Sequence, residues 1–215
     1  MDITALGHSS FKIRGKQATV VTDPYASDMV GIKYPRSVTA DIVTVSHDHA
    51  DHNAVAVIGG NPFVVTGAGE YEVHGVGIIG VPSYHDSEQG AKRGRNTIYR
   101  IEIDGVVIAH LGDLGHPLSE QDIERLDGVD VLLVPVGGVY TINAAEAVKV
   151  VHDIEPAIAV PMHYLTDGMD TKAFGELSPV SAFLKEIGKE DVTAQEKLVV
   201  TKDKLPEELD VVVLA

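Results

Sequence analysis

The sequence predicts an α/β (α+β) chain built from two stacked β-sheets with helices packed outside them. Three observations carry this reading. Short apolar or alternating runs recur along the chain, each closed by Gly, Pro, Asn or Asp. Apolar residues at helical spacing are confined to a few segments, mostly in the second half. The chain has 215 residues, 44% apolar and 23% charged, which gives one domain, residues 1–215, enough length for a substantial core.

Residues 2–6 and 10–14 alternate apolar with polar, and Gly7-His8-Ser9 joins them. Gly15-Lys16 turns the chain toward a third strand at 18–22, which Asp23-Pro24-Tyr25 ends because proline cannot extend a ladder. Residues 26–40 are irregular and read as a loop. The run Ile42-Val43-Thr44-Val45 reads as a buried strand, and residues 53–58 as a short helix capped by Asn53 and stopped by Gly59-Gly60. Residues 62–66 form another strand. Gly67-Ala68-Gly69-Glu70 is a glycine-rich turn, without the spacing of a dinucleotide fingerprint. Residues 71–84 read as strands broken by Gly75, Gly77 and Gly80. After a polar stretch, 97–103 and 106–111 form a hairpin across Asp104-Gly105, a favoured turn pair. Helices are expected at 119–126, 143–154 and 179–187, with strands at 129–136, 156–160, 198–201 and 211–214.

The densest chemistry lies just past the strand at 42–45, in Ser46-His47-Asp48-His49-Ala50-Asp51-His52-Asn53. Three imidazoles and a carboxylate in six residues are nitrogen and oxygen donors suited to zinc, manganese, iron or nickel. In an extended segment, positions 47, 49 and 51 point one way and 52 the other, so one loop can feed two neighbouring ions. A catalytic zinc takes three protein ligands and keeps a position open, so two ions need about six donors, or about seven with a shared carboxylate. Further candidates sit at later strand ends: His85, Asp113 and His163. His116, three residues past Asp113, competes with His85. His8 on its own reads as a hydrogen-bonded structural histidine, and Arg93 and Arg95 as a solvated loop.

The formal charge of −15 argues against broad binding to nucleic acid or anionic membrane, since phosphates need cationic cover, although a local basic groove escapes this argument. With no cysteine, neither a disulfide framework nor a thiolate metal site can form. No basic, apolar leader precedes the first strand and no apolar run approaches roughly 20 residues, so the expected compartment is the cytoplasm. There is no P-loop, nucleophile elbow or H-E-x-x-H.

His47-x-His49-x-Asp51-His52 resembles the signature of the metallo-β-lactamase fold superfamily. Asp23 matches its aspartate after an early strand, and His85, Asp113 and His163 match its later positions. Gly7-His8-Ser9-Ser10-Phe11, Thr22-Asp23-Pro24-Tyr25, His110-Leu111-Gly112-Asp113, Pro135-Val136-Gly137-Gly138 with Tyr140-Thr141, and Pro161-Met162-His163-Tyr164 are similar to one branch in particular. That branch comprises bacterial and archaeal metal-dependent hydrolases like L-ascorbate-6-phosphate lactonase. This chain is much shorter than the lactonase, and Tyr84-His85-Asp86 lacks the small residues common beside the third histidine.

The resemblance implies a four-layer αββα sandwich and two divalent metal ions, zinc before manganese, iron or nickel. His47, His49 and His85 would hold one ion, and Asp51, His52 and His163 the other. Asp113 would bridge them, and Asp23 would support the histidine loop from behind. The implied activity is hydrolysis of a small ester, lactone or phosphoester by hydroxide generated between the metals, with Asp51, Asp113 and His110 as catalytic residues. His110 would orient a ligand or donate a proton to the leaving group. His8 and Thr141 would line the pocket. Apart from the resemblance, the paired N–H donors of Arg93 and Arg95 suit an anionic substrate, the alternative to a solvated loop. The expected partner is a small molecule, and a homo-oligomer is compatible. Other readings are a phosphodiesterase or nuclease of the same fold, a non-catalytic metal sensor, and a di-iron redox enzyme with a flavin partner.

Overall fold

A computed structural model describes residues 1–215. The first half supplies β1 (Asp2–Gly7), β2 (Ser10–Arg14), β3 (Thr19–Thr22), the short α1 (Ser27–Val30), β4 (Ile42–Val45) and β5 (Phe63–Thr66). Then come β6 (Gly69–Val73), β7 (Val76–Tyr84), β8 (Arg95–Ile103), β9 (Val106–His110), α2 (Glu120–Arg125), β10 (Val131–Pro135), α3 (Ala144–Ile154) and β11 (Ile158–Met162). The chain closes with α4 (Thr171–Phe174), α5 (Val180–Glu186), β12 (Leu198–Val199) and β13 (Asp210–Val211).

Two mixed sheets result. One runs in the order β12-β1-β2-β3-β4-β5, the other β13-β11-β10-β9-β8-β7-β6. Side-chain alternation along each strand divides the core into three slabs. Val20, Ile42, Ile108, Val131, Leu133, Ile158 and Val160 face the space between the sheets. Their neighbours Ala109, Leu132, Val134 and Ala159 face outward and are covered by Ala147, Val150 and Val151 of α3 and Phe183 and Leu184 of α5. On the other outer face, Val21, Val43 and Val45 pack under Val30 of α1 and Phe174 of α4. The layers are helix, sheet, sheet, helix, an α+β sandwich in which strands buried on both faces read as unbroken apolar runs.

Capping chemistry sets the helix starts. Ser119 accepts from the Asp122 N–H and Asn143 from the Glu146 N–H, each in a reciprocal capping box. Some expectations fail locally. Residues 53–58 form only a 3₁₀ turn at Val55–Val57, because Asn53 spends its side chain on Asp48 and no side chain caps Ala54. The stretch 26–40 is not wholly a loop, since α1 forms and Gly31 ends it in the left-handed conformation. Gly77 and Gly80 do not interrupt β7, which pairs along its length with β8. Only His74-Gly75 turns the chain, and the hairpin partner β6 starts inside the expected glycine-rich turn. The four-residue α4 carries no periodic signal and is visible only in the structure.

Strand direction places the chemistry. β3, β4 and β5 are parallel, as are β9, β10 and β11. β7 and β9 both pair antiparallel with β8, so they run the same way. All these strands therefore deliver their carboxyl ends to one edge of the sandwich, where α/β folds form ligand sites.

Candidate metal centre

That edge collects Asp23 after β3, residues 46–52 after β4, His85 after β7, Asp113 after β9 and His163 after β11. The backbone is strained there: His8, Asp23 and His163 have φ of 53°, 38° and 52°, a region non-glycine residues enter at a cost. Two glycines allow the close approach. A Cβ on Gly115 would strike the carbonyl of His85, and one on Gly137 the carbonyl of His163.

Asp113 is the centre of the cluster. One of its carboxylate oxygens lies 3.2 Å from His85 Nε2, 3.2 Å from His163 Nε2 and 4.0 Å from His47 Nε2. The other lies 3.2 Å from His52 Nε2. The donors form two groups around it, and a third, Asp23 with His47 and His52, links them from behind. His47, His49 and His85 make one, and His8, Asp51, His52 and His163 make the second, the ligand atoms of each lying within 4.8 Å of one another. Buried polar atoms normally find hydrogen-bond partners. Here His47 Nε2, His52 Nε2, His163 Nε2 and Asp113 Oδ1 are buried and have none. Close spacing without hydrogen-bond geometry is what lone pairs aimed at shared cations produce, and the all-N/O donor set fits a divalent ion.

A supporting layer fixes these rings. Asp23, fully buried, accepts from the Ser46 backbone N–H (2.8 Å), Ser46 Oγ (2.5 Å) and His52 Nδ1 (2.8 Å). With its proton on Nδ1, His52 keeps Nε2 free to face Asp113. Ser46 Oγ also lies 2.9 Å from His47 Nδ1. Asn96 anchors Asp113: its amide donates to Ser83 Oγ and to the Leu111 carbonyl, and its oxygen accepts from the Asp113 N–H at 3.0 Å.

Electrostatics follow from burial and crowding. Burial, with the neighbouring His163 charge, lowers the His8 pKa to about 4, and burial with His52 lowers His47 to about 3. Both rings are neutral near pH 7, as metal ligands require. Burial pushes the Asp113 carboxyl up, but His163 and His52 outweigh it and hold it well below the carboxylate range. His52 is the exception. Burial disfavours its charge, yet Asp113 and Asp51 raise its pKa well above the usual value. Asp113 and Asp51 therefore favour a proton on His52, which a bound cation would displace into solvent.

The remaining candidates scatter. His8 is inside the cluster rather than on a substrate wall: its Nε2 lies 3.3 Å from Asp51 Oδ2 and its ring 4.2 Å from that of His163. His110 is fully buried behind the centre, its Nε2 donating to the Ser9 carbonyl at 2.8 Å and its Nδ1 accepting from the Gly112 N–H. With both nitrogens engaged by backbone groups, it is committed to the frame behind Asp23 and is not placed to protonate a leaving group. Thr141 turns its hydroxyl to the Ile142 carbonyl, and its neighbour Tyr140 lines the cavity instead. His116 lies outside the cluster, accepting from the Tyr84 N–H and donating to the Pro117 carbonyl. Arg93 and Arg95 are parted, the first half-buried against the centre and the second exposed.

The centre opens into a cavity of about 450 Å³ walled by Met29, Tyr140, Ala173 and Phe174, with Asp51, His85 and Asp113 at its base. A larger groove of about 1030 Å³ adjoins it past His47 and His49. Sequence reasoning missed Ser46, Asn96, Tyr140 and Phe174. Ser46 and Tyr140 stand inside motifs that the sequence displays, whereas Asn96 and Phe174 carry no local signal.

Fold and site together define a metal-dependent hydrolase of the metallo-β-lactamase type. Residues 2–163 match the Beta-lactamase superfamily domain, and the chain belongs to that superfamily. It is similar to the UPF0173 metal-dependent hydrolase of Thermococcus onnurineus, 32% identical, with 75% of this chain and 83% of the relative covered. Among solved structures it is similar to a metallo-β-lactamase superfamily protein of Thermotoga maritima, with 36% identity, a TM-score of 0.80, and 99% and 97% of the two chains covered. It shares its fold with the metallo hydrolase Igni18 of Ignicoccus hospitalis, at 21% identity, a TM-score of 0.69, and 93% and 99% coverage. No helix is long and apolar enough to cross a membrane.

Proposed function

We propose that the chain hydrolyses a small ester, lactone or phosphoester using two divalent cations held on either side of Asp113. The observation that carries this is the set of buried His and Asp atoms that converge on Asp113 without hydrogen-bond partners. His47, His49 and His85 are assigned to one cation, and Asp51, His52 and His163 to the other. Zinc is the first candidate, because the donors are imidazole and carboxylate and the Thermotoga maritima relative is named for zinc dependence. Cations held by these residues would supply a nucleophilic oxygen at neutral pH and positive charge for the transition state.

The chain's residues then have defined tasks. Asp23 holds the His52 proton at Nδ1 and so aims its other nitrogen. Neutral His8 donates to Asp51 and fixes that carboxylate at the base of the cavity. Asn96 locks the backbone of Asp113. Phe174, Met29 and Tyr140 wall the cavity and set the size of what enters. No serine or lysine is placed as a nucleophile among these residues.

A panel of lactones, thioesters and phosphodiesters tests the proposal. Turnover of at least one class is expected, falling more than about 100-fold on chelation and returning when zinc or manganese is restored. Hydrolysis that survives complete metal removal would overturn it.

A further inference from the structure

We propose that Arg93 selects the substrate, and that the substrate carries an oxyanion, a carboxylate or phosphate group, beside the bond that is cut. This rests on the hydrolase reading above and names a substrate class for it. Arg93 lines both the cavity at Asp113 and the adjoining groove, so it stands where the two meet. It is half-buried, yet its guanidinium pairs with no carboxylate and donates no hydrogen bond. The other half-buried arginine, Arg100, has Glu102 at 4.0 Å, and exposed Arg14 forks onto Asp2 at 2.8 and 3.0 Å. A partly desolvated guanidinium has five N–H donors in a planar fork that matches an oxyanion, and leaving them idle is costly.

Arg93 is also held in place without being neutralised. Buried Asp86, next to His85, accepts four backbone N–H groups: Glu88 (2.8 Å), Gly90 (2.9 Å), Lys92 (3.0 Å) and Arg93 itself (2.7 Å). One carboxylate therefore ties the arginine's backbone to the histidine that faces Asp113. On its outer side the guanidinium carbon lies 5.4 Å from the ring centre of Tyr140, whose hydroxyl is fixed to the Ala173 carbonyl. The neighbouring Lys92 is occupied by Glu88, and exposed Asp48, which shares the mouth, accepts from Asn53. Arg95 lines only the groove, so recognition falls to one arginine and not to a pair. The chain's charge of −15 repels anions at long range, and an acidic substrate therefore has to be captured by a contact of this local kind.

The test uses the metal-loaded protein and two esters that differ only in a free carboxylate against its methyl ester. The ratio of kcat/KM, charged over neutral, is expected to exceed tenfold in the parent. It should fall at least tenfold in Arg93→Met, recover in part in Arg93→Lys and stay constant in a variant of exposed Arg36, Arg36→Met. Calorimetric titration with inorganic phosphate reads the same site without turnover, and Arg93→Met should bind at least tenfold more weakly. An unchanged ratio or equal phosphate affinity would overturn the proposal. Weakened phosphate binding with no hydrolysis of either ester would instead uphold the anion site and refute the hydrolase reading. Arg93→Lys keeps the charge and its stacking position, so it distinguishes lost recognition from lost folding.

Discussion

Asp113→Ala is expected to bind less than half the parent's metal after dialysis and to lose at least about 1000-fold in kcat/KM, a barrier increase of about 4 kcal/mol. The argument is geometric. Asp113 is the one carboxylate within 3.2 Å of imidazole nitrogens from both donor groups, His85 on one side and His52 on the other, with His163 equally near. Its loss removes a ligand from each group at once. His49→Ala should give a similar loss of activity with little effect on stability, because His49 is exposed and removing it leaves no cavity. Metal analysis, kcat/KM and the melting temperature, measured together, separate the two cases. Full turnover in either variant would refute the assignment of these residues.

Asp23→Ala is expected to be the most destabilising single change in the site. Asp23 is fully buried and receives three hydrogen bonds, from the Ser46 N–H, the Ser46 hydroxyl and His52. Removing it strands three buried donors, at a cost of about 3–5 kcal/mol, which for a chain of this length lowers the melting temperature by roughly 10 °C. Metal affinity should fall about 10- to 100-fold, since His52 loses the group that sets its tautomer. Asp23→Asn separates the two effects. Its carbonyl can still accept from Ser46, but its amide faces the His52 Nδ1 proton and forces that proton to the nitrogen that faces Asp113. The Asn variant should stay folded and lose metal. An Asn variant with parental metal content would show that Asp23 acts on folding alone.

These effects were legible in the sequence to different depths. The ligand types stood out because H-x-H-x-D-H concentrates donors at the end of an apolar run, and a strand end is where such a fold exposes side chains. The sandwich was legible because β3, β4, β9, β10 and β11 are buried on both faces and read as apolar punctuated runs. What stayed hidden depends on long-range contacts. Asn96 is 17 residues from the N–H it accepts, and no local spacing marks that pairing. His110 resembles a catalytic group in sequence, and only the carbonyl of Ser9, 101 residues away, shows that its ring is already committed. His8 looked like a lone structural histidine or a pocket wall until the fold set its ring against that of His163. The polar stretch after Asp86 carries no periodicity, so nothing local shows that the Asp86 carboxylate organises four N–H groups. Short elements such as α4 escape because four residues are too few to show a helical period.

The account stands or falls on the number and position of the cations. The most direct measurement is elemental analysis of the metal-loaded protein combined with anomalous scattering from its crystals. Two ions per chain are expected, one beside His47, His49 and His85 and one beside Asp51, His52 and His163, with Asp113 between them. A single ion, or ions bound away from Asp113, would contradict it.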